Sequence, residues 1–169
     1  MSFLIQRIDR KFTTLLNKLA DRSANATAIM NAVARWFILV LFFFALWRLW
    51  QMPSPLPVAY LIRNLIVSYA VTTTIGFFVN RKRPFEQKSD PVHLNPWIKT
   101  SSFPSGHSTM AFSIATTTAI MLAWPIELSF LLFLSAGLIA ISRVIVGVHY
   151  ISDVVIGSAI GFFLSFFWL

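Results

Sequence analysis

The sequence predicts an all-α protein: a polytopic membrane helix bundle of about five transmembrane helices, with an interfacial amphipathic helix at the N-terminus. Three observations predict it. Hydrophobic residues make up 57% of the 169, against ~45–50% in an ordinary soluble domain, and mean hydropathy is +0.72. The excess is gathered into runs, each near the ~20 residues that carry a helix across a bilayer. Between the runs stand proline, glycine and charge, which mark helix ends and turns. No internal repeat or low-complexity tract is visible, and residues 1–169 read as one domain.

Residues 1–25 are not a secretory signal. Arg7, Arg10, Lys11, Lys18 and Arg22 are scattered through them, leaving no uninterrupted apolar stretch. Phe3, Leu4, Ile5, Ile8, Phe12, Leu15, Leu16 and Leu19 fall at helical spacing with the charges opposite. That pattern predicts a helix lying in the membrane interface, an anchor without chemistry of its own. The first span covers residues 32–50, with Trp36, Trp47 and Trp50 near its ends as an aromatic belt and Arg35 and Arg48 placed to snorkel. Residues 51–57 carry three prolines and predict a tight turn. The second span covers 58–79, and Arg63 inside it reads as a snorkelling or packing residue.

Residues 80–104 form one long polar loop holding Arg81, Lys82, Arg83, Pro84, Glu86, Lys88, Asp90, His93 and Lys99. A loop this long in a compact domain is often functional. The third span, 105–124, is rich in Ser and Thr, which suggests packing against other helices rather than lipid. Pro125 makes a short turn, the fourth span covers 126–146, Gly147 breaks the pattern, and the fifth covers 150–169.

Net charge is +8, from 14 Lys and Arg against 6 Asp and Glu. In a soluble chain that balance would suggest nucleic acid. In a membrane protein it points to the bilayer's anionic headgroups and to a phosphorylated lipid substrate, and nucleic acid is not expected as a partner. With no cysteine, disulfides are excluded. The sequence gives no reading of oligomeric state.

Residues 142–153 hold Arg143, His149 and Asp153 in apolar surroundings. Ionisable groups at membrane depth cost roughly 2.5–3.5 kcal/mol each on insertion scales, so three together imply a use. His149 and Asp153 are spaced i, i+4 and would share a helical face, where Asp153 can hold one imidazole nitrogen and leave the other free. Threading the spans in sequence brings three clusters to one membrane face: Arg83-Pro84, Pro104-Ser105-Gly106-His107, and Arg143 with His149 and Asp153. Arginine forks bind phosphate oxygens in pairs. A helix opening at Ser105-Gly106 offers free N–H groups to an anion, and Gly106 lets the backbone come close. The convergence predicts a phosphate site. Asp153 is the only acid in the three clusters, so neither a metal nor another cofactor is expected; Glu86, Asp90 and His93 read as a solvated loop face.

At these residues the sequence resembles the type-2 phosphatidic acid phosphatase superfamily, metal-independent membrane lipid phosphatases related in their site to vanadium haloperoxidases. The family pattern is Lys-x6-Arg-Pro, then Pro-Ser-Gly-His, then Ser-Arg-x5-His-x3-Asp. The second part is complete at residues 104–107 and the third at residues 142–153, while the first keeps Arg83-Pro84 and has Gly76 where the lysine would stand. The resemblance implies that His149 is a nucleophile forming a phosphohistidine, Asp153 its orienting partner and His107 the general acid. Arg83, Arg143, Ser105 and the Gly106 amide would cradle the phosphate, and Lys82 is a candidate to supply the missing cation. Within the superfamily the chain looks most like the bacitracin-resistance type of undecaprenyl-diphosphate phosphatase, which tends to lack that lysine. The implied reaction is dephosphorylation of undecaprenyl diphosphate to the monophosphate. The alternatives are a phosphatidate or phosphatidylglycerophosphate phosphatase of the same mechanism, and a non-catalytic protein that binds phospholipid headgroups. All Lys and Arg except Arg48 and Arg63 lie toward the site face, which by the positive-inside rule would be cytoplasmic. The subgroup resemblance implies the outward face of a bacterial inner membrane, and that is the expectation adopted.

Overall fold

The computed structural model describes residues 3–20, 23–86 and 101–167, and among these there is no strand. Six α-helices follow in order: α1 (Phe3–Ala20), α2 (Ala24–Trp50), α3 (Leu56–Val79), α4 (Gly106–Met121), α5 (Ile126–Ile145) and α6 (Ile151–Phe167). Each boundary has a local cause. The Ser23 hydroxyl caps α2 by accepting from the Ala26 N–H at 3.1 Å. That cap starts α2 eight residues before the predicted span, adding two turns in which Asn25, Thr27 and Asn31 interrupt the apolar run. Pro55 precedes α3 and Pro57 lies in its first turn, where proline's missing N–H leaves no helix bond unmade. Asn80 ends α3 in a left-handed conformation (φ 43°, ψ 48°), and its N–H returns to the Gly76 carbonyl at 2.9 Å. Gly147, at φ 79°, turns the chain between α5 and α6.

Helices α2, α3 and α5 are long and apolar enough to cross a membrane, and α6 is a shorter apolar helix. Helix α4 is the hub. It packs against α2, α3, α5 and α6, and its Ser108, Thr109, Ser113, Thr116, Thr117 and Thr118 are all buried, as its composition predicted. The closest approach is to α6. A Cβ added at Gly157 would stand 2.6 Å from the Ser105 carbonyl oxygen, and one at Gly161 only 2.0 Å from the Thr109 carbonyl oxygen. These two glycines form a Gly-x3-Gly face that lets backbones meet, and a 2.7 Å bond between the Ser113 and Ser165 hydroxyls continues the seam. The apolar core fills the space between α2, α3, α4 and α5 around Leu49, Leu61, Ile114 and Ile139. Outward lie Trp36, Trp47, Trp50, Phe77 and Phe78, all exposed. Arg63 stacks 4.7 Å over Tyr60 and donates to Asn64, a packing role as expected.

Helix α1 departs from the simple anchor. Its buried face is polar: Asp9, Thr13 and Asn17, spaced i, i+4, i+8, are each no more than 2% exposed. The Asn17 side-chain amide faces the Thr13 and Val144 carbonyl oxygens, so its nitrogen is assigned to that side, where it donates to Val144 at the end of α5 at 2.6 Å. Phe12 and Leu15 face outward, and Arg7, Arg10, Lys11 and Lys18 are exposed. The helix thus has three faces, and the polar stripe docks on α5 and α6.

Candidate active site

Three segments meet beside the starts of α4 and α6. The chain leaves α3 at Asn80 and runs irregularly to Pro84, which opens a single 3₁₀ turn, Pro84–Glu86. Arg83, directly before proline, is biased toward extended backbone. Arg81 and Arg83 turn inward; Lys82 between them is exposed. Lys82, the candidate for the missing cation, stands past the end of α3 and is exposed. The strap 101–105 is tied to this segment and to α6 by main-chain bonds: Ser102 N–H to the Arg81 carbonyl at 2.8 Å, and Ser105 N–H to the Asp153 carbonyl at 3.0 Å.

His149 is 3% exposed and lies in the turn before α6, not on the helix. Its Nδ1 is 2.7 Å from the Ser102 carbonyl oxygen and 3.7 Å from Asp153 Oδ2. A carbonyl can only accept, so Nδ1 carries the proton and Nε2 keeps its lone pair. The expected orienting role is therefore divided. The Ser102 carbonyl makes the hydrogen bond, and Asp153 stands behind it as the nearby negative charge. Asp153 is fully buried and satisfied. Oδ2 accepts the Ser102 hydroxyl at 2.5 Å and the Tyr150 N–H at 2.9 Å, and Oδ1 accepts Arg81 Nη1 at 2.5 Å. The Tyr150 bond is the backward reach of an acid in the first turn to the residue preceding its helix. One Ser102 residue thus holds the aspartate with its side chain and the histidine with its backbone.

Arg83 is 6% exposed; its Nη1 donates to the Val148 carbonyl at 3.3 Å and its own N–H to Glu86 at 3.0 Å. Arg143 is 5% exposed, its Nη1 donates to the Ala34 carbonyl at 2.6 Å, and among the described residues its Nε has no acceptor. A buried guanidinium nitrogen without a partner is costly, and an anion's oxygen is the partner that chemistry would supply. Both arginines act electrostatically on His149 and on His107, and His107 also lies within reach of His149. His107 sits in the first turn of α4. Ser105 caps that helix: its hydroxyl oxygen accepts from the Ser108 hydroxyl at 2.9 Å and lies 3.5 Å from the Ser108 N–H. These bonds order the start of the helix. A Cβ at Gly106 would meet only Thr72 Cγ2, at 3.9 Å, so no protein atom crowds the backbone there. At Gly76 a Cβ would come 3.3 Å from the Phe103 carbonyl oxygen, and the strap occupies the place where a long side chain would begin.

Burial pushes the His149 imidazole down to about 4. The Asp153 side chain opposes that shift, and Arg83 and Arg143 add to it. Burial also lowers Arg83, against the pull of Glu86 and Asp153. A neutral histidine with its lone pair on Nε2, set among cations, can attack phosphorus or bind an anion. Among the described residues no three His, Cys, Asp or Glu side chains gather to hold a metal. Lys88, Asp90, His93 and Lys99 of the polar loop lie outside the described residues.

Sequence reasoning missed Arg81, Asp9 and Ser102 as members of the site's surroundings. Asp9 carried one usable signal: it starts a polar i, i+4, i+8 series on a helix whose other faces were accounted for.

Comparison with known proteins agrees with this geometry. The sequence profile of the PAP2 superfamily matches residues 57–169. An undecaprenyl-diphosphatase of Sulfolobus acidocaldarius is 31% identical over 107 residues, which take in 61% of this chain and 51% of that protein; the chain spans about half the length of that relative. The fold is similar to the crystal structure of Aquifex aeolicus LpxE, with TM-score 0.78 and 25% identity over 93% of this chain and 92% of the other. It is also similar to the first transmembrane PAP2 type phosphatidylglycerolphosphate phosphatase from Bacillus subtilis, with TM-score 0.76 and 20% identity over 98% and 85%. At that identity the second likeness shows the fold alone.

Proposed function

This chain belongs to the PAP2 superfamily, and from that premise we propose that it is a lipid phosphate hydrolase working through a phosphohistidine at His149. The observation that carries the reading is the 2.7 Å contact between His149 Nδ1 and the Ser102 carbonyl. It fixes the tautomer and aims the free lone pair of Nε2, as nucleophilic catalysis requires. In the first step Nε2 forms the N–P bond while the bond from phosphorus to the lipid's leaving oxygen breaks. His107, as imidazolium, gives that oxygen its proton. Arg83, Arg143 and the first-turn amides of α4 hold the three phosphoryl oxygens as negative charge shifts onto them. In the second step water attacks phosphorus, His107 takes the water's proton, the N–P bond breaks and inorganic phosphate leaves. No step draws on a cofactor.

For the substrate we favour a polyprenyl diphosphate, undecaprenyl diphosphate first, cleaved at its terminal phosphate to leave the monophosphate. Two observations support this over a diacyl phosphate: the Sulfolobus relative is an undecaprenyl-diphosphatase, and Gly76, with the strap against it, replaces the family lysine. The site face is proposed to open outward from a bacterial inner membrane. The test is a panel of C55 diphosphate, phosphatidate and phosphatidylglycerophosphate on purified protein in detergent with a chelator present. The expected result is the highest kcat/KM on C55 diphosphate, and loss of turnover on every substrate in His149→Ala. A diacyl phosphate turned over faster would overturn the substrate, and full activity of His149→Ala would overturn the mechanism. Labelling of Ser89→Cys from outside the cell, in a chain with no native cysteine, reads the orientation; protection from outside with labelling after lysis reverses it.

A further inference from the structure

The nucleophile's support does not end at Asp153. Arg81 Nη1 binds Asp153 at 2.5 Å and the Ser152 hydroxyl at 2.8 Å, and its Nη2 binds Asp9 at 2.7 Å. Its guanidinium carbon lies 4.0 Å from the centre of the Tyr150 ring, so the fork is held flat between two carboxylates and an aromatic face. Asp9 meets Arg81 and Ser152 together. Its Oδ1 accepts the Ser152 N–H at 3.1 Å, and its Oδ2 accepts the Ser152 hydroxyl at 2.6 Å. It therefore occupies an N–H in the first turn of α6 from a helix 143 residues away, where a carboxylate also suits the helix dipole.

These contacts form one connected path: Asp9, Arg81, Asp153, Ser102, His149. We propose that Asp9 and Arg81 are positioning residues for the nucleophile, and that the N-terminal helix is a working part of the active site through them. The inference rests on the reading of His149 as nucleophile. Two buried carboxylates and one guanidinium make a set that is costly to break at any member, because each loss leaves a charge without its partner. If Asp9 is lost, Arg81 keeps Asp153 as its one carboxylate partner and the Ser152 N–H in the first turn of α6 loses its acceptor. If Arg81 is lost, Asp153 keeps the Ser102 hydroxyl and Tyr150 N–H but gains an unbalanced charge. Asp153 then tilts toward His149, and the ring follows the Ser102 strap.

The test measures steady-state kinetics and phosphoenzyme formation from 32P-labelled C55 diphosphate for wild type, Asp9→Asn, Arg81→Lys and Arg81→Met, with Thr13→Ala as a control on the same buried stripe. Small displacements of a reacting group cost about 10²-fold in rate. The expected result is a fall in kcat of about 10–100-fold in the Asp9 and Arg81 variants with KM within about twofold, a slower appearance of phosphoenzyme, and Thr13→Ala like wild type. In Arg81→Met the acid limb of the pH profile moves up, since the freed Asp153 charge favours the protonated imidazole and a nearby cation is gone. Arg81→Lys keeps the charge without the fork and carries the test if Asp9→Asn is not recovered folded. Variants that melt earlier yet turn over at the wild-type rate, or lose only KM, overturn the inference while leaving the phosphohistidine intact. A wild type that releases phosphate with no phosphoenzyme overturns the functional reading, and this inference with it.

Discussion

Replacing Gly161 by alanine adds one methyl group where the structure has no room. The new Cβ would stand 2.0 Å from the Thr109 carbonyl oxygen, 2.9 Å from its carbon and 3.0 Å from the Ser113 nitrogen. All three are backbone atoms of α4, so no side chain can swing aside. Ordinary contact begins near 3.4 Å, and the carbonyl must recede by about 1.4 Å. Overpacking of this kind costs about 1–3 kcal/mol, occasionally more. The seam it opens joins the helix whose first turn holds His107 to the helix whose first turn holds Asp153. A shift near 1 Å between reacting groups is worth about 10²-fold in rate. Gly161→Ala is therefore expected to lower the detergent melting temperature and to cut kcat by at least tenfold in the protein that remains folded. Gly137→Ala is the matched control. It lies on α5 with nothing within 4 Å of its added Cβ, and relief of a helical glycine contributes roughly 0.5–1 kcal/mol in the opposite sense. Equal melting temperatures and equal rates for the two variants would refute the claim that backbone contact between α4 and α6 sets the site.

Three further outcomes follow. Lys82→Ala should leave kcat and KM within about twofold of wild type, because the residue is exposed while Arg81 and Arg83 on either side are not; a tenfold loss would place it in the phosphate cradle. His107→Gln should lower kcat by about 10²–10⁴-fold, the usual worth of a positioned proton donor, with unchanged thermal stability; a wild-type rate would remove it from the reaction. His149, held down at about 4 by burial, stays neutral in the folded protein while the unfolded chain protonates near 6.5. Its contribution to stability is whole above pH 6.5 and is lost as pH falls toward 4, at about 1.4 kcal/mol per pH unit. Melting curves of wild type and His149→Gln between pH 4 and 7 check the sign: the wild type should lose more stability on acidification, and parallel curves would contradict it.

The helices were legible because apolar runs and their breakers are local. Ser23, Pro55, Asn80, Pro125 and Gly147 stand at or beside helix ends, each for a reason of its own backbone. The convergence of Arg83, His107, Arg143 and His149 was legible because an even number of crossings returns the chain to one face. What escaped had no local signature. Ser102 holds His149 and Asp153 from about 50 residues away, and nothing in its neighbours announces it. Helical periodicity gave no placement for Lys82, because the chain leaves the helix at Asn80, two residues earlier. Asp9 was hidden by the amphipathic pattern, which sorts residues into apolar and charged and has no place for a third, buried polar face. The part played by Gly157 and Gly161 depends on the backbone of α4 that they meet, which lies about 50 residues away in the chain.

The most direct measurement is the site of phosphorylation. Wild-type protein mixed with 32P-labelled C55 diphosphate, quenched in alkaline detergent within milliseconds and digested for mass spectrometry, should carry phosphate on Nε2 of His149. The label should be absent in His149→Ala and should be chased to inorganic phosphate by unlabelled substrate. Phosphate released at the normal rate with the label on another residue, or on none, would contradict the account at its centre.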